Sequence, residues 1–263
     1  MKRFIKEKPS RALLILILTI FAILLLINET SLFKNDKTHT FSEAYDKQVK
    51  GEALHTKSES HQFVKASHQD VKNAMEIKRK DSDLMYMDLS EAVQMSEKEV
   101  NQMLKGKGIL EGQGKAFLDA QNKYDVNVIY LISHAQLETG EGKSELAQGV
   151  KSGKKKYFNF FGIGAFDSDA VKTGSSYAQK ANWTSPRQAI MGGAKFVRQN
   201  YFENGQLNLY QMRWNPKQPA TNQYASDIDW ARKIAERMSI YYEHYGIKKD
   251  KIELNKYKCF FID

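Results

Sequence analysis

Glu138 stands where a carboxyl can be kept from water. Val128, Leu131, Ala135 and Glu138 follow i, i+3, i+7 and i+10, so the carboxyl continues the apolar stripe of a helix that begins at Asn127 and stops at Thr139-Gly140. Desolvation raises a carboxyl's pKa, and a carboxylic acid that stays protonated near neutral pH can give its proton to the leaving oxygen of a glycosidic bond. A glutamate near a helix end is more commonly solvated or capping, so the position alone specifies no reaction. His134, one turn earlier, has the spacing for a metal pair with Glu138, but no third ligand is in sight. We read His134 as a packed or hydrogen-bonded neighbour of the acid and expect neither metal nor cofactor.

The elements that must position Glu138 are mostly helical. An amphipathic helix over 114–122 is broken at Tyr124-Asp125-Val126 before the helix that carries Glu138. A Gly- and aromatic-rich section from Gly140 to Trp183 suits short strands or a hairpin better than a long helix. Ser185-Pro186 caps a helix running to about Tyr201, and a last helix spans about Ser226 to Tyr245, with Ile228, Ala231, Ile234, Ala235, Met238 and Tyr241 inward. The expectation is a mainly α (α+β) domain with a small β lobe.

Four segments in order carry a resemblance. His134-Ala135-Gln136-Leu137-Glu138-Thr139-Gly140, followed by Gly142, Lys143, Ser144, Leu146 and Ala147, comes first, then Tyr157-Phe158-Asn159-Phe160-Phe161-Gly162-Ile163-Gly164-Ala165. Trp183-Thr184-Ser185-Pro186 running into Ala189-Ile190-Met191-Gly192-Gly193-Ala194-Lys195-Phe196 is third. Tyr210-Gln211-Met212-Arg213-Trp214-Asn215-Pro216 with Asn222-Gln223-Tyr224-Ala225 is fourth. Over roughly residues 84 to 245 the chain closely resembles the glycoside hydrolase family 73 endo-β-N-acetylglucosaminidases. The resemblance implies a lysozyme-like fold and cleavage of the bond after N-acetylglucosamine, β-1,4-linked to N-acetylmuramic acid. It aligns Glu138 with the general acid and Tyr224 with an active-site tyrosine whose hydroxyl could orient the substrate's acetamido group or a water. A half-buried core tyrosine is the plainer alternative.

Asp167 and Asp169 fall in the loop where the family's proposed second acid resides, and a solvated turn aspartate is the other reading of each. Glu145 and Asp227 are weaker candidates, and Glu141 reads as a loop charge. An inverting enzyme needs a base about 6.5 to 9.5 Å from the acid, whereas substrate assistance uses the sugar's own acetamido oxygen; the sequence leaves both open. Pyranose rings stack on aromatic faces, so Phe158, Phe161, Tyr177, Trp183, Trp214 and Tyr224 are candidate glycan platforms, with Trp214 and Phe161 foremost; Asn159 and Asn222 are candidate polar contacts.

The remainder of the 263 residues concerns place. Lys2, Arg3, Lys6, Lys8 and Arg11 form a basic flank over 1–11, followed by an apolar span over 12–28 broken only at Thr19. At about 1.5 Å per residue this is slightly short for a core of about 30 Å, which snorkelling cations can accommodate. No small-x-small cleavage site follows, so the expectation is an uncleaved single-pass anchor with everything after Asn28 outside the cell. Residues 29–80, poor in large apolar side chains, read as a stalk; 81–245 as the catalytic domain; 246–263 as a Lys-rich fraying tail. The single cysteine, Cys259, can form no internal disulfide.

A formal charge of +9 attracts polyanions, but outward topology and the lack of a nucleic-acid motif disfavour nucleic acid. The chain therefore reads as a membrane-anchored enzyme acting on peptidoglycan glycan strands, with an integral-membrane protein as a possible partner and trimming of nascent strands as its task. A muramidase or lytic transglycosylase on the same fold, or a non-catalytic wall-binding scaffold, are the alternatives.

Overall fold

The computed structural model describes residues 38–60, 62–164, 170–254 and 256–258, together with Thr19. The anchor expected over 12–28 thus lies outside the described residues apart from Thr19, as do Asp167, Asp169 and Cys259. Among the described residues, no helix is long and apolar enough to cross a membrane.

Residues 41–75, expected as part of a stalk, are instead built into the domain. Helix α1 (Phe41–Lys50) starts at a capping box in which Thr40 and Glu43 satisfy each other's backbone N–H. The antiparallel hairpin β1 (Thr56–Glu59) and β2 (Gln62–Lys65) follows, then α2 (His68–Met75), which opens on a second capping box, Ser67 with Asp70. Ala44, Gln48, Ala66, Val71 and Met75 are all buried. Gln48 donates through Nε2 to the Trp214 carbonyl at 2.9 Å, tying α1 to the other end of the chain. Mean composition hid this segment because its inward residues are few, small or polar, while its caps and spacing are those of ordinary helices.

Helix α3 (Glu97–Leu104) and α4 (Gly114–Tyr124) lead to α5 (Val128–Glu138), around which the rest is assembled. Every residue of α5 from Val128 to Gln136 is buried, so the helix is enclosed on all sides rather than lying with one stripe inward as expected. Val128, Ile129, Leu131 and Ile132 are fully buried, and each such side chain contributes about 1.5–3 kcal/mol. Asn127 fixes the start of α5. Its Oδ1 accepts from the Ile129 and Tyr130 amides at 2.9 and 3.0 Å, and its Nδ2 donates to the Tyr242 hydroxyl at 2.9 Å. At the other end Thr139 Oγ1 donates to the Ala135 carbonyl and accepts from the Gly142 amide.

The section after α5 holds the short α6 (Glu145–Gln148) and the hairpin β3 (Val150–Ser152) with β4 (Lys155–Tyr157), the small β element expected there. It also contains an 11-residue helix, α7 (Ala170–Lys180), which the loop-rich reading did not foresee. Helix α8 (Pro186–Asn200) begins as expected, with Ser185 as N-cap and Pro186 in the first position.

After α9 (Leu209–Trp214), helix α10 runs over Trp230–His244, four residues later than expected. The preceding backbone is held extended: Thr56 donates to the Ser226 carbonyl and accepts from the Ile228 amide, each at 2.9 Å. The buried Arg213 clamps the same stretch, donating to the Asp227 and Ser226 carbonyls at 2.8 Å each. The tail also differs from the fraying expected of it. The Glu253 and Lys258 amides donate to the Tyr86 and His39 carbonyls, and the Tyr257 hydroxyl lies 2.7 Å from that of Tyr210.

Candidate active site

The last turn of α5 carries Glu138 to the edge of the core, where its side chain keeps 24% of its exposure. Trp230, the first residue of α10, donates its indole Nε1–H to Glu138 Oε1 at 3.0 Å. His134 Nε2 lies 3.6 Å from the same oxygen. Oε2 lies against the loop that follows β4. At Gly162, with φ of 62°, a Cβ would stand 2.6 Å from Oε2, so only glycine both adopts this backbone and lets the loop approach the carboxyl.

That loop is organised from within by Asn159, which is 2% exposed. Its Oδ1 accepts from the Phe161 and Ile163 amides at 3.3 Å each, and its Nδ2 donates to the Ile163 and Gly174 carbonyls at 2.8 and 3.2 Å. Phe161 is buried beneath the loop, where Gly193 of α8 makes room for it; a Cβ there would lie 2.0 Å from the Phe161 ring. The Tyr224 hydroxyl donates to the Phe161 carbonyl at 2.8 Å. Its ring stacks on Trp230 at 4.9 Å and 16°, and meets His134 edge-on at 4.7 Å. Burial pushes the Tyr224 hydroxyl well above its ordinary pKa, and the nearby Tyr130, Tyr201 and Glu138 add to this, so the phenol stays neutral.

The structure thus brings Glu138, Tyr224, Phe161 and Asn159 together. Phe158 and Trp183 are also buried and pack beside this loop, the Phe158 amide donating to the Trp183 carbonyl at 3.0 Å. Tyr177 is half-buried, with its ring 5.4 Å from that of Trp183. Trp214 and Phe161, foremost among the expected platforms, are 1% and 0% exposed and offer no open face to a sugar. Trp214 instead stacks under the Arg213 guanidinium at 4.0 Å. Asn222 is exposed, but its amide is engaged with the Asn200 carbonyl and Gln206 Oε1.

Among the weaker candidates, Asp227 is bound by Lys233 at 2.5 Å, and Glu145 stands exposed in the first turn of α6. Glu141 is more than a loop charge: it pairs with Lys107 at 2.6 Å and with Arg237, pinning the turn after Glu138 to α10. Sequence reasoning missed Trp230. Its spacing with Ile234 and Met238, at i, i+4 and i+8, marks it as inward, but nothing in the sequence pairs it with Glu138 across 92 residues.

Comparison with known proteins agrees with this geometry. The chain matches the glucosaminidase family, described as mannosyl-glycoprotein endo-beta-N-acetylglucosaminidase, over residues 114–243. It is 45% identical over 226 residues to a bifunctional autolysin of Staphylococcus epidermidis, an alignment covering 81% of this chain and 16% of the relative. The chain therefore spans only about a sixth of the length of that curated relative. Among solved structures, S. aureus autolysin E in complex with the muropeptide NAM-L-Ala-D-iGlu is 60% identical with a TM-score of 0.80, over 86% of this chain and 100% of that one. A catalytic mutant of the same autolysin was solved with the disaccharide NAG-NAM. S. aureus glucosaminidase B is 37% identical with a TM-score of 0.62, over 84% of this chain and 91% of that one. Sharing its fold and most of its length with these enzymes, the chain belongs to the glucosaminidase family.

Proposed function

We propose that this protein is an autolysin-type endo-β-N-acetylglucosaminidase that cleaves the β-1,4 bond between N-acetylglucosamine and N-acetylmuramic acid in peptidoglycan, with Glu138 as general acid. The observation that carries this reading is the setting of Glu138. Trp230 fixes Oε1, and Gly162 leaves room beside Oε2. The muropeptide and NAG-NAM complexes of autolysin E support the substrate.

In the reaction, the Glu138 carboxyl gives its proton to the leaving glycosidic oxygen while positive charge grows on the sugar's anomeric carbon. Tyr224 already donates its hydroxyl hydrogen to Phe161, so its oxygen offers a lone pair to an N–H such as that of the substrate's acetamido group. Asp167 and Asp169 are retained as candidates for the base that activates water on the opposite face. Asp167→Asn and Asp169→Asn, assayed singly, distinguish a base from substrate assistance: loss of about 10²-fold or more in kcat with either identifies the base, and full activity in both favours assistance. Phe158, Tyr177 and Trp183 line the same loop region and are proposed to hold its shape and to border the glycan. The test of the bond cleaved is digestion of purified peptidoglycan, chemical reduction and mass analysis. Reduced glucosamine ends support the proposal; reduced muramic ends mean a muramidase, anhydro-muramic ends a transglycosylase, and no cleavage a wall-binding scaffold.

We further propose that residues 12–28 anchor the enzyme in the cell membrane with its catalytic domain on the wall side, where it trims nascent strands, alone or beside an integral-membrane partner. The basic flank and apolar span support this. Removing residues 1–28 is expected to leave cleavage of isolated wall intact while abolishing the effect in cells; unchanged cellular function would contradict it.

A further inference from the structure

His134 is fully buried, and its two ring nitrogens have different surroundings. Nδ1 lies 3.0 Å from the Tyr130 hydroxyl, whereas Nε2 has no hydrogen-bond partner and faces Glu138 Oε1 at 3.6 Å. Tyr224, Trp230 and Phe161 enclose the ring, with centroids at 4.7, 5.2 and 5.4 Å. A buried nitrogen aimed at a carboxyl oxygen and bonded to nothing calls for an explanation.

We infer that His134 is a positioning residue for Glu138: neutral, with its proton on Nε2, it joins the Trp230 indole in holding Oε1 as a hydrogen-bond acceptor and so leaves Oε2 to carry and deliver the catalytic proton. The inference rests on Glu138 being the acid. A neutral imidazole has one donor and one acceptor nitrogen. The Tyr130 hydroxyl has two acceptors in reach, His134 Nδ1 at 3.0 Å and Met212 Sδ at 3.8 Å, and the imidazole nitrogen is the nearer and the stronger. With that hydroxyl donating to Nδ1 the ring hydrogen sits on Nε2, where it points at Oε1; the opposite tautomer would set the Nε2 lone pair against those of an unprotonated Oε1.

The titratable groups facing the ring are Tyr130 and Glu138 from its own helix and Tyr224 from the segment before α10, with Tyr201 behind Tyr224 at 5.1 Å. Burial keeps all three phenols neutral, which leaves the Glu138 carboxyl as the group that Nε2 faces. Oε1 already accepts the indole N–H, and Oε2 has no hydrogen-bond partner among the described residues. A separation of 3.6 Å is longer than a formed bond of about 2.7–3.2 Å, and catalytic hydrogen bonds commonly tighten once substrate is bound. As the proton leaves Oε2, negative charge spreads to Oε1, where two N–H groups already point at it.

The test is nitrogen NMR of the full chain with ¹⁵N-labelled histidine, read alongside kinetics on peptidoglycan. His134 is expected to show a protonated Nε2 and an accepting Nδ1 throughout the working pH range. In Tyr130→Phe this pattern should relax to a tautomer mixture, kcat should fall about tenfold with KM within about twofold, and the alkaline limb of kcat/KM should move to higher pH because ionised Glu138 has lost a fixed donor. His134→Phe, which removes the ring nitrogens and keeps an aromatic ring in the space, should shift the same limb. A proton on Nδ1 or an imidazolium in an enzyme that still cleaves glycan would overturn the inference, as would variants of lower activity whose alkaline limb stays in place. Failure of the functional reading is distinct: there the wild-type chain would cleave nothing, or leave ends other than reducing glucosamine, whatever the tautomer.

Discussion

Beside His134, two residues that do not titrate place the carboxyl. Trp230 holds one oxygen of Glu138, and Gly162 allows the loop to pass beside the other. Replacing Gly162 by alanine puts a methyl group into the space of Oε2 at a positive φ that costs an L-residue about 1–2 kcal/mol. Gly162→Ala should therefore lower kcat by at least about tenfold while lowering Tm by only a few degrees, checked by paired kinetics and thermal melts. At this scale the sequence singled out Glu138, through its motif, but not its partners. Trp230 reaches Glu138 only because α10 folds back across α5, and no local pattern encodes that crossing. Trp214 and Phe161 were misjudged for the same reason: an aromatic side chain in a motif looks alike whether it faces sugar or core, and both face core.

The elements were legible where a local signal ends them. Asn127 and Ser185 cap helices that begin where expected, because a side chain oxygen meets the free N–H groups of the first turn. Helix α10 starts late because Thr56 and Arg213, distant in sequence, hold residues 226–228 extended, and this non-local bonding overrides helix propensity. His55 belongs to the same clamp. It accepts from Arg213 at Nδ1 and lies 3.2 Å from the Gln48 carbonyl at Nε2. Burial, then the Arg213 charge, pull its pKa down from 6.5 to about 4, the Gln48 bond opposing. Below pH 6.5 the unfolded chain binds a proton that the folded one refuses, so stability is lost progressively as pH falls from 6.5 to about 4. His55→Gln keeps an acceptor and a donor without titrating. Its Tm should fall less than the wild type's over that interval, by a difference of a few degrees; equal slopes would remove His55 from the account.

For the whole molecule, the folded unit begins well before residue 81. Helix α1, the first hairpin and α2 bury Ala44, Ala66, Val71 and Met75 and bond to Trp214 and to the segment before α10. A fragment of residues 81–263 should therefore be destabilised by several kcal/mol and lack activity, whereas residues 29–263 should fold and cleave, as circular dichroism and digestion of purified wall would show. The fold class and the catalytic region were readable because they rest on motifs and periodicity. The outer limits of the domain were not, because a segment whose buried residues are alanine, glutamine and a few scattered apolar side chains has the composition of a linker.

The central claim, that Glu138 is the proton donor of a glucosaminidase, is tested most directly by comparing kcat/KM for release of reducing glucosamine ends by the wild type and Glu138→Gln. The substitution keeps the side chain's shape and can still accept the Trp230 bond, so Tm should stay within a degree or two while kcat/KM falls about 10²- to 10⁴-fold. A Glu138→Gln protein that releases the same ends at an undiminished rate would contradict it.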